Sequence, residues 1–217
     1  MTIKNFFHII NKVNDRSPYQ KGKKKKQMRK FYSRKDGIIL TAIEILNELG
    51  FQALSIREIA KRQDMAESLL YKNYKSKDEL IIAVLKYYSK YDSAIMNTIL
   101  KNENTYRGKI IDFASSYTEY YQNYPAITSV LMSYDSFLHE ESTRELVTDI
   151  FKKRSQFISD LASNAIAKGE LKDDFTPGEL SEIVIGLFRN VCFIWRLENF
   201  GFSLKDRVNS LLEKLLK

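Results

Sequence analysis

The sequence is poor in residues that interrupt helices, with eight glycines and three prolines among 217 residues. Sandwich and glycine-rich α/β folds need many such turn residues, so this scarcity argues against both. The single cysteine, Cys192, excludes an internal disulfide. No run of about 18 consecutive apolar residues, the length that crosses a bilayer, is present. With 44% hydrophobic residues available for a core, we expect an all-α, soluble, cytoplasmic protein.

Residues that enzymes use are also sparse. The two histidines, His8 and His139, lie far apart in the sequence, and no Cys/His cluster has metal-ligand spacing. Neither a Gly-rich phosphate loop nor a nucleophile elbow is found. Cys192 lies in the apolar stretch IVIGLFRNVCFIW and is expected to be a core thiol. We therefore expect a protein that is not an enzyme and uses neither a metal nor a cofactor.

Charge is distributed unevenly along the chain. Residues 1–80 hold 18 Lys and Arg against 9 Asp and Glu, whereas residues 81–217 hold 17 against 18. Between Lys21 and Lys35 there are nine basic residues and no acidic one. Such a concentration of positive charge is typical of a segment that meets a polyanion. The alternative explanation is a solvated leader without a partner.

Helix starts are predicted from capping residues. In a capping box, a Ser or Thr hydroxyl and a Glu carboxylate three residues later each satisfy a backbone N–H group at the helix N-terminus. Boxes begin at Ser55, Ser76, Ser142 and Thr176, and Ser33–Asp36 and Ser203–Asp206 are shorter versions. Apolar periodicity then predicts about nine helices, besides an amphipathic one near the start of the chain. Their ranges are 33–49, 55–62, 66–73, 76–101, 106–123, 125–139, 142–168, 177–199 and 203–216.

The short helices on either side of Asp64 have helix-turn-helix spacing. Ile56, Ile59 and Ala60 face one way, and the small side chain of Ala60 permits a close helix crossing. Asp64 tolerates the left-handed backbone of the turn better than most residues. The second helix, 66–73, would pack Leu70 inward. Its predicted outward-facing residues are Ala66, Glu67, Ser68, Lys72 and Asn73.

Two sequence runs add a family resemblance. GFQALSIREIA, from Gly50 to Ala60, fits the pattern G-[FY]-x-x-x-[ST]-[IV]-R-x-I-A, and LYKNYKSKDEL, from Leu70 to Leu80, fits L-Y-x-x-[FY]-x-[SN]-K-[DE]-x-L. With them, residues 38–85 resemble the N-terminal DNA-binding domain of the TetR family of bacterial transcriptional regulators. The resemblance implies a homodimer whose recognition helix enters the major groove of an operator.

The same resemblance predicts the domain plan and several DNA contacts. A basic extension (1–32) would precede a three-helix DNA-binding domain (33–80) and a helical ligand-binding and dimerisation domain (81–217). Tyr71 and Lys77 would contact phosphates, with backbone N–H groups at Ser76 added to them. Ser55 is either a further DNA contact or only a cap. Lys75, where the family often has Pro, adds positive charge.

The start of the predicted recognition helix departs from the family pattern. Members commonly carry a small polar run such as S-x-x-T, whereas this chain has Ala66, Glu67, Ser68 and Leu69. Glu67 would accept from a cytosine amino group or be repelled by phosphate, and Leu69 would touch a thymine methyl or pack inward. The operator sequence is therefore not predicted.

The basic extension has two interpretations. Its run KGKKKKQMRK, with Lys24, Lys25 and Arg29, would lie along flanking phosphates or reach a minor groove. Alternatively, residues 1–30 would attach a helical binding protein of the same fold to an anionic membrane surface or a protein partner. We favour the DNA interpretation.

The C-terminal domain contains candidates for two surfaces. The helix from Pro177 to Asn199 is apolar almost all round, so one face is expected to meet its own core and another a second subunit. Its interface candidates are Val184, Leu187, Val191, Ile194 and Trp195. Aromatic residues would line an apolar effector cavity, or form ordinary core. They are Tyr91, Phe113, Tyr117, Tyr120, Tyr121 and Tyr134.

These features predict a ligand-responsive DNA-binding regulator, and we expect a repressor. A small apolar or aromatic effector would bind among the long helices and change the separation of the two DNA-binding domains in the dimer. The predicted helix from Ser76 to Leu100 belongs to both domains and would transmit a tilt between them.

Overall fold

The computed structural model describes residues 34–217, which contain helices and no strand. The predicted all-α fold class is confirmed for these residues. In chain order the helices are α1 (Arg34–Leu49), α2 (Ile56–Gln63), α3 (Glu67–Tyr71), α4 (Lys77–Ser89), α5 (Asp92–Lys101), α6 (Tyr106–Asn123), α7 (Thr128–Met132), α8 (Glu141–Ala167), α9 (Pro177–Leu197) and α10 (Leu204–Leu215). Three 3-10 turns cover Phe51–Ala53, Pro125–Ile127 and Asp135–Leu138.

The described residues form two compact units. The head unit comprises residues 34–90 and Tyr124–Thr148, and the body unit comprises Tyr91–Asn123 and Asp149–Lys217. α8 begins in the head unit and ends in the body unit. These units differ from the predicted division at residue 80, because α4 stays with the head unit to its end and a later segment joins it.

The core of the head unit is largely aliphatic. α1 packs against α2, α4 and α7, and its buried residues include Ile38, Ile43 and Ile45. α1 ends before Gly50, whose φ of 80° lies in the region that favours glycine. In the body unit, α6 packs against α5 and α10, and α10 also packs against α9.

Most predicted helix starts are confirmed by their caps. The hydroxyls of Ser55, Ser76, Thr176 and Ser203 each accept from the backbone N–H three residues later. At Thr176 the Glu179 carboxylate also accepts from the Thr176 N–H, which completes a capping box. The prediction at Ser142 is wrong, because α8 begins one residue earlier. Ser33 lies outside the described residues.

The predicted helix over residues 76–101 is interrupted. α4 ends at Ser89, and the Lys90 N–H donates to Tyr87 O, three residues back, instead of continuing the α-helical pattern. α5 then starts at Asp92, whose carboxylate lies in the first turn, where negative charge is favourable. The predicted lever from Ser76 to Leu100 is therefore two helices that belong to different units.

The predicted helix over residues 125–139 is also divided. Two 3-10 turns flank the short α7. Near its start, Thr128 Oγ1 donates to Pro125 O and Ser129 Oγ donates to Ala126 O, both at 2.7 Å. Such bonds from side chains to nearby carbonyls compete with a regular helix.

Candidate DNA-binding and effector-binding sites

The helix-turn-helix is formed by α2, Asp64 and α3. Asp64 adopts the predicted left-handed conformation, with φ 52° and ψ 51°. The following Met65 N–H donates to Ala60 O at 3.0 Å, which closes the end of α2. Ala60 and Leu70 are buried, as predicted. The two helices thus pack together with a small residue, Ala60, and an apolar residue, Leu70, both buried.

The recognition helix is shorter than the predicted 66–73. After Tyr71 the backbone tightens, and the Asn73 N–H donates to Leu70 O at 2.8 Å. The Asn73 amide donates to Leu69 O at 2.9 Å, so this side chain closes the helix instead of pointing outward. The remaining predicted contacts on this helix are exposed. They are Ala66, Glu67, Ser68, Tyr71 and Lys72.

The predicted phosphate contacts lie in different environments. Tyr71 is 50% exposed, and Lys75 is also exposed. Lys77 is half-buried, with Nζ 4.2 Å from the centroid of the Phe51 ring. Burial lowers the pKa of Lys77, and the nearby Asp78 carboxylate opposes this shift. Tyr71 and Lys75 are therefore open to solvent, whereas Lys77 is held against the protein.

Two further DNA candidates have capping roles in the head unit. The Glu58 N–H donates to Ser55 Oγ, and the Glu79 N–H donates to Ser76 Oγ, each at 3.1 Å. These bonds account for both hydroxyls without DNA. The predicted contacts Lys24, Lys25 and Arg29 lie outside the described residues, as does the membrane alternative for residues 1–30.

Predicted effector residues form a continuous aromatic cluster in the body unit. Along α6, ring centroids are 4.8 Å apart for Phe113 and Tyr117 and 6.3 Å apart for Tyr117 and Tyr121. Tyr120 lies 5.8 Å from Tyr121, and Tyr91 contacts Tyr120 edge-on, also at 5.8 Å. The cluster members on α6 are buried.

Sequence reasoning missed two members of this cluster, and one of the predicted effector residues lies outside it. Phe157 on α8 lies 5.4 Å from Phe113, and Phe188 on α9 lies 5.5 Å from Tyr121. Tyr134 instead belongs to the head unit, where its ring contacts Tyr88 at 6.0 Å. Helical periodicity identified the aromatic residues that share one face of α6. Contacts between different helices cannot be read from the spacing of residues within one helix.

A charged group that sequence reasoning also missed lies beside the cluster. Arg154 Nε and Nη2 donate to the two carboxylate oxygens of Asp92, both at 2.9 Å. Tyr117 Oη donates to Asp92 Oδ1 at 2.7 Å. The Arg154 guanidinium also lies 4.5 Å from the centroid of the Tyr117 ring. Asp92 is only 3% exposed, so this ion pair lies inside the body unit.

The predicted dimer face of α9 is placed differently by the structure. Val184, Val191 and Trp195 are buried in their own protomer. They therefore face the core, while Leu187 and Ile194 are half-buried. The outward-facing apolar residues are Phe193, 49% exposed, and Leu197, 64% exposed. Because α9 is hydrophobic almost all round, its sequence does not indicate which face is exposed.

Within residues 34–217, no helix is long and apolar enough to cross a membrane. No group of three or more His, Cys, Asp or Glu side chains in this range is arranged to hold a metal ion.

An exposed recognition helix in a helix-turn-helix and an all-helical body unit define a DNA-binding transcriptional regulator. Residues 38–84 match the family model described as "Bacterial regulatory proteins, tetR family". This segment is therefore a helix-turn-helix domain of the tetR family, and the matching family and curated relative are named as regulators, not as enzymes.

Similar proteins cover most of the chain. The fatty acid metabolism regulator protein of Bacillus subtilis (strain 168) is 21% identical over 182 residues, 82% of this chain and 92% of that relative. The structure of the regulator FadR from Bacillus subtilis in complex with stearoyl-CoA has a TM-score of 0.72 at 18% identity, covering 84% of this chain and 97% of that one. The fatty acid degradation regulator FadR from Bacillus halodurans has a TM-score of 0.68 at 15% identity, covering 82% and 96%. At these identities the structural likeness shows the fold alone.

Proposed function

We propose that this ligand-responsive regulator is a cytoplasmic repressor that leaves its operator when an effector with a long apolar chain binds the body unit. Long-chain acyl-CoA thioesters are the effector class that we favour. This proposal refines the small apolar or aromatic effector expected from the sequence.

The observation that carries the effector proposal is the buried aromatic cluster along α6. Its rings offer a continuous apolar environment for a hydrocarbon chain. The adjoining Tyr117, Asp92 and Arg154 supply a few polar groups for orientation. Similar proteins are named as regulators of fatty acid metabolism or degradation, and one similar solved structure is described in complex with stearoyl-CoA.

For DNA binding, we propose that α3 enters the major groove of an operator. Its exposed residues Glu67 and Ser68 are suited to base edges. Tyr71 at its end, and Lys72 and Lys75 beyond it, are suited to phosphates. Lys77 is proposed as a further phosphate contact. Base contacts would set the sequence preference, whereas the phosphate contacts would act on every DNA sequence alike.

We further propose that a second copy of the chain packs against the outward face of α9. Phe193 and Leu197 supply exposed apolar surface there. Gly186 has open space where a side chain would stand, so the backbone of another helix has room to approach. A homodimer of this kind would present two recognition helices to two half-sites.

The basic extension is proposed to follow flanking phosphates. Deleting residues 1–30 removes seven basic residues of the run from Lys21 to Lys30, and each lost contact flattens the plot of log K against log salt by about 0.9. DNA and anionic-vesicle titrations of both chain lengths test this role. An unchanged DNA slope together with lost vesicle binding would favour the membrane alternative.

The central experiment has two stages. Genomic fragments bound by the full chain are selected and sequenced, and release from a selected fragment is then titrated with stearoyl-CoA, free CoA, stearate and a compact aromatic compound. Release by stearoyl-CoA alone is the expected result. Release only by the aromatic compound would exclude the acyl-chain effector, and failure to select any fragment would contradict operator binding.

A further inference from the structure

A contact between a 3-10 turn and a helix start in the head unit joins the two sequence runs that characterise the DNA-binding domain. Phe51 lies in the 3-10 turn before α2, and Lys77 is the first residue of α4. Lys77 Nζ lies 4.2 Å from the centroid of the Phe51 ring. It also donates to Phe51 O at 3.4 Å. One residue thus contacts the ammonium group through both its ring and its carbonyl.

The Phe51 ring is itself fixed by a residue outside the helix-turn-helix. Phe137 packs edge-on against it, with centroids 5.6 Å apart and an interplanar angle of 73°. Phe137 is 1% exposed, and its carbonyl accepts from Thr143 Oγ1 at 2.6 Å. Arg144 Nε donates to the neighbouring Leu138 O at 2.8 Å. The first turn of α8 therefore anchors the 3-10 turn that supports Phe51.

We propose that Phe51, supported by Phe137, is a positioning residue for DNA binding that holds the Lys77 ammonium where it meets a phosphate. This inference rests on the proposed phosphate contact of Lys77. A cation held over an aromatic face keeps its charge and retains other N–H donors for a phosphate. A lysine on a free stem would lose rotamer entropy on binding, and a pre-placed lysine loses less.

The half-buried state of Lys77 supports the same role. Contact with phosphate requires that part of the ammonium hydration be removed, and the fold has already removed some of it. Burial lowers the pKa of Lys77 accordingly. The exposed Lys75, two residues earlier, has no corresponding ring contact among those observed in residues 34–217 and provides a natural comparison.

The test is a double-mutant cycle on random-sequence duplex DNA, for which no operator is needed. The variants are Phe51→Leu, Phe51→Tyr, Lys77→Ala and the double variant Phe51→Leu/Lys77→Ala. Phe51→Leu keeps an apolar side chain without the aromatic face, and we expect it to weaken binding about threefold. Phe51→Tyr keeps that face and should restore most of the affinity. In the Lys77→Ala background, Phe51→Leu should have no further effect.

A control cycle uses Lys75→Ala with Phe51→Leu, and its two effects should be additive. Phe137→Leu is expected to reproduce part of the Phe51→Leu effect only while Lys77 is present. Thermal unfolding of every variant separates a lost contact from a lost fold. Variants that unfold early are compared below their transition, with Phe51→Tyr as the folded reference.

The outcomes distinguish the inference from the function on which it rests. If Lys77→Ala leaves binding unchanged, the phosphate contact itself is wrong. If Lys77→Ala weakens binding but Phe51→Leu does so equally in both backgrounds, the contact stands and the positioning role is overturned. Tighter binding by Phe51→Leu would also overturn it, because the ring would then be holding the ammonium away from DNA.

Discussion

The head and body units differ in their ion pairs, because the body unit has one in its interior as well as others at its periphery. In the head unit, Arg62 pairs with Glu48 and Glu58 at its periphery, at 2.7 and 3.0 Å, over a largely aliphatic core. In the body unit, Arg154 and Asp92 form an ion pair in the interior. Removing one partner of a buried pair leaves an uncompensated charge in the interior, whereas an exposed pair contributes little to stability. The two kinds of pair should therefore respond very differently to substitution.

The largest loss of stability is expected when one partner of the buried ion pair between Arg154 and Asp92 is removed. Arg154→Met leaves the Asp92 carboxylate without its cation, and we expect the free energy of unfolding to fall by about 3–5 kcal/mol. The double variant Asp92→Leu/Arg154→Met should recover most of that loss, because no charge remains buried. Urea unfolding followed by circular dichroism measures both.

A peripheral pair provides the matched control. Lys205 and Glu119 lie 2.9 Å apart with both side chains partly exposed, so Glu119→Gln should cost less than about 1 kcal/mol. Equal losses for Glu119→Gln and Arg154→Met would mean that the buried position of Arg154 has no special energetic weight.

A second prediction separates the inward and outward faces of α9. Phe193→Asp adds a charge on the exposed face, so the chain should stay folded while the proposed dimer weakens by about 2 kcal/mol or more. Val191→Asp buries an unpaired carboxylate and should unfold the body unit. Sedimentation and circular dichroism distinguish the two results. A Phe193→Asp chain that sediments like the wild type would contradict this proposed interface.

A further prediction concerns the head unit, where the polar side chain of Ser55 has a capping role. Because the Ser55 hydroxyl caps α2, Ser55→Ala should lower the free energy of unfolding by about 1 kcal/mol. Ser55→Asp keeps an acceptor for the cap and places a negative charge beside the proposed phosphate surface. If Ser55→Asp restores stability and leaves DNA affinity at the wild-type level, Ser55 is a cap alone.

The smallest effect is expected at Cys192. Burial raises the pKa of this thiol above its ordinary value, so at a given pH the native chain holds less thiolate than a free cysteine does. Iodoacetamide at pH 8 should therefore leave the native protein almost unmodified and label it in urea. Labelling of Arg154→Met under native conditions would report opening of the body unit specifically. Rapid labelling of the wild type would show that this interior is accessible.

Local chemistry predicted much of the fold, and the reasons for its failures are physical. The left-handed Asp64 and the caps at Ser55, Ser76, Thr176 and Ser203 follow from interactions within a few residues. The break between α4 and α5 does not, since neither Lys90 nor Tyr91 is a helix breaker. There the buried Asp92 accepts from Arg154, a residue 62 positions later, and no local pattern encodes that partner.

The same distinction between local and long-range interactions applies to the candidate sites. The exposed face of α3 and the aromatic stripe of α6 were predicted, because helical periodicity places their residues on common faces. The contact between Lys77 and Phe51 joins residues that are 26 positions apart in the sequence. The contact between Phe188 and Tyr121 joins separate helices. Such partners are selected by tertiary packing, so they became visible only in the structure.

The interleaved order of the two units has a consequence for synthesis on the ribosome. The head unit needs Tyr124–Thr148 in addition to residues 34–90, and α7 packs against both α1 and α4. A growing chain therefore makes α5 and α6 before it can complete the head core, and closure across this intervening segment carries an entropic cost. During that interval the face of α1 that will receive α7 is still uncovered. A complete head unit thus emerges only after the α6 helix of the proposed effector site, so translation stopped before residue 124 leaves a nascent chain without a complete head unit.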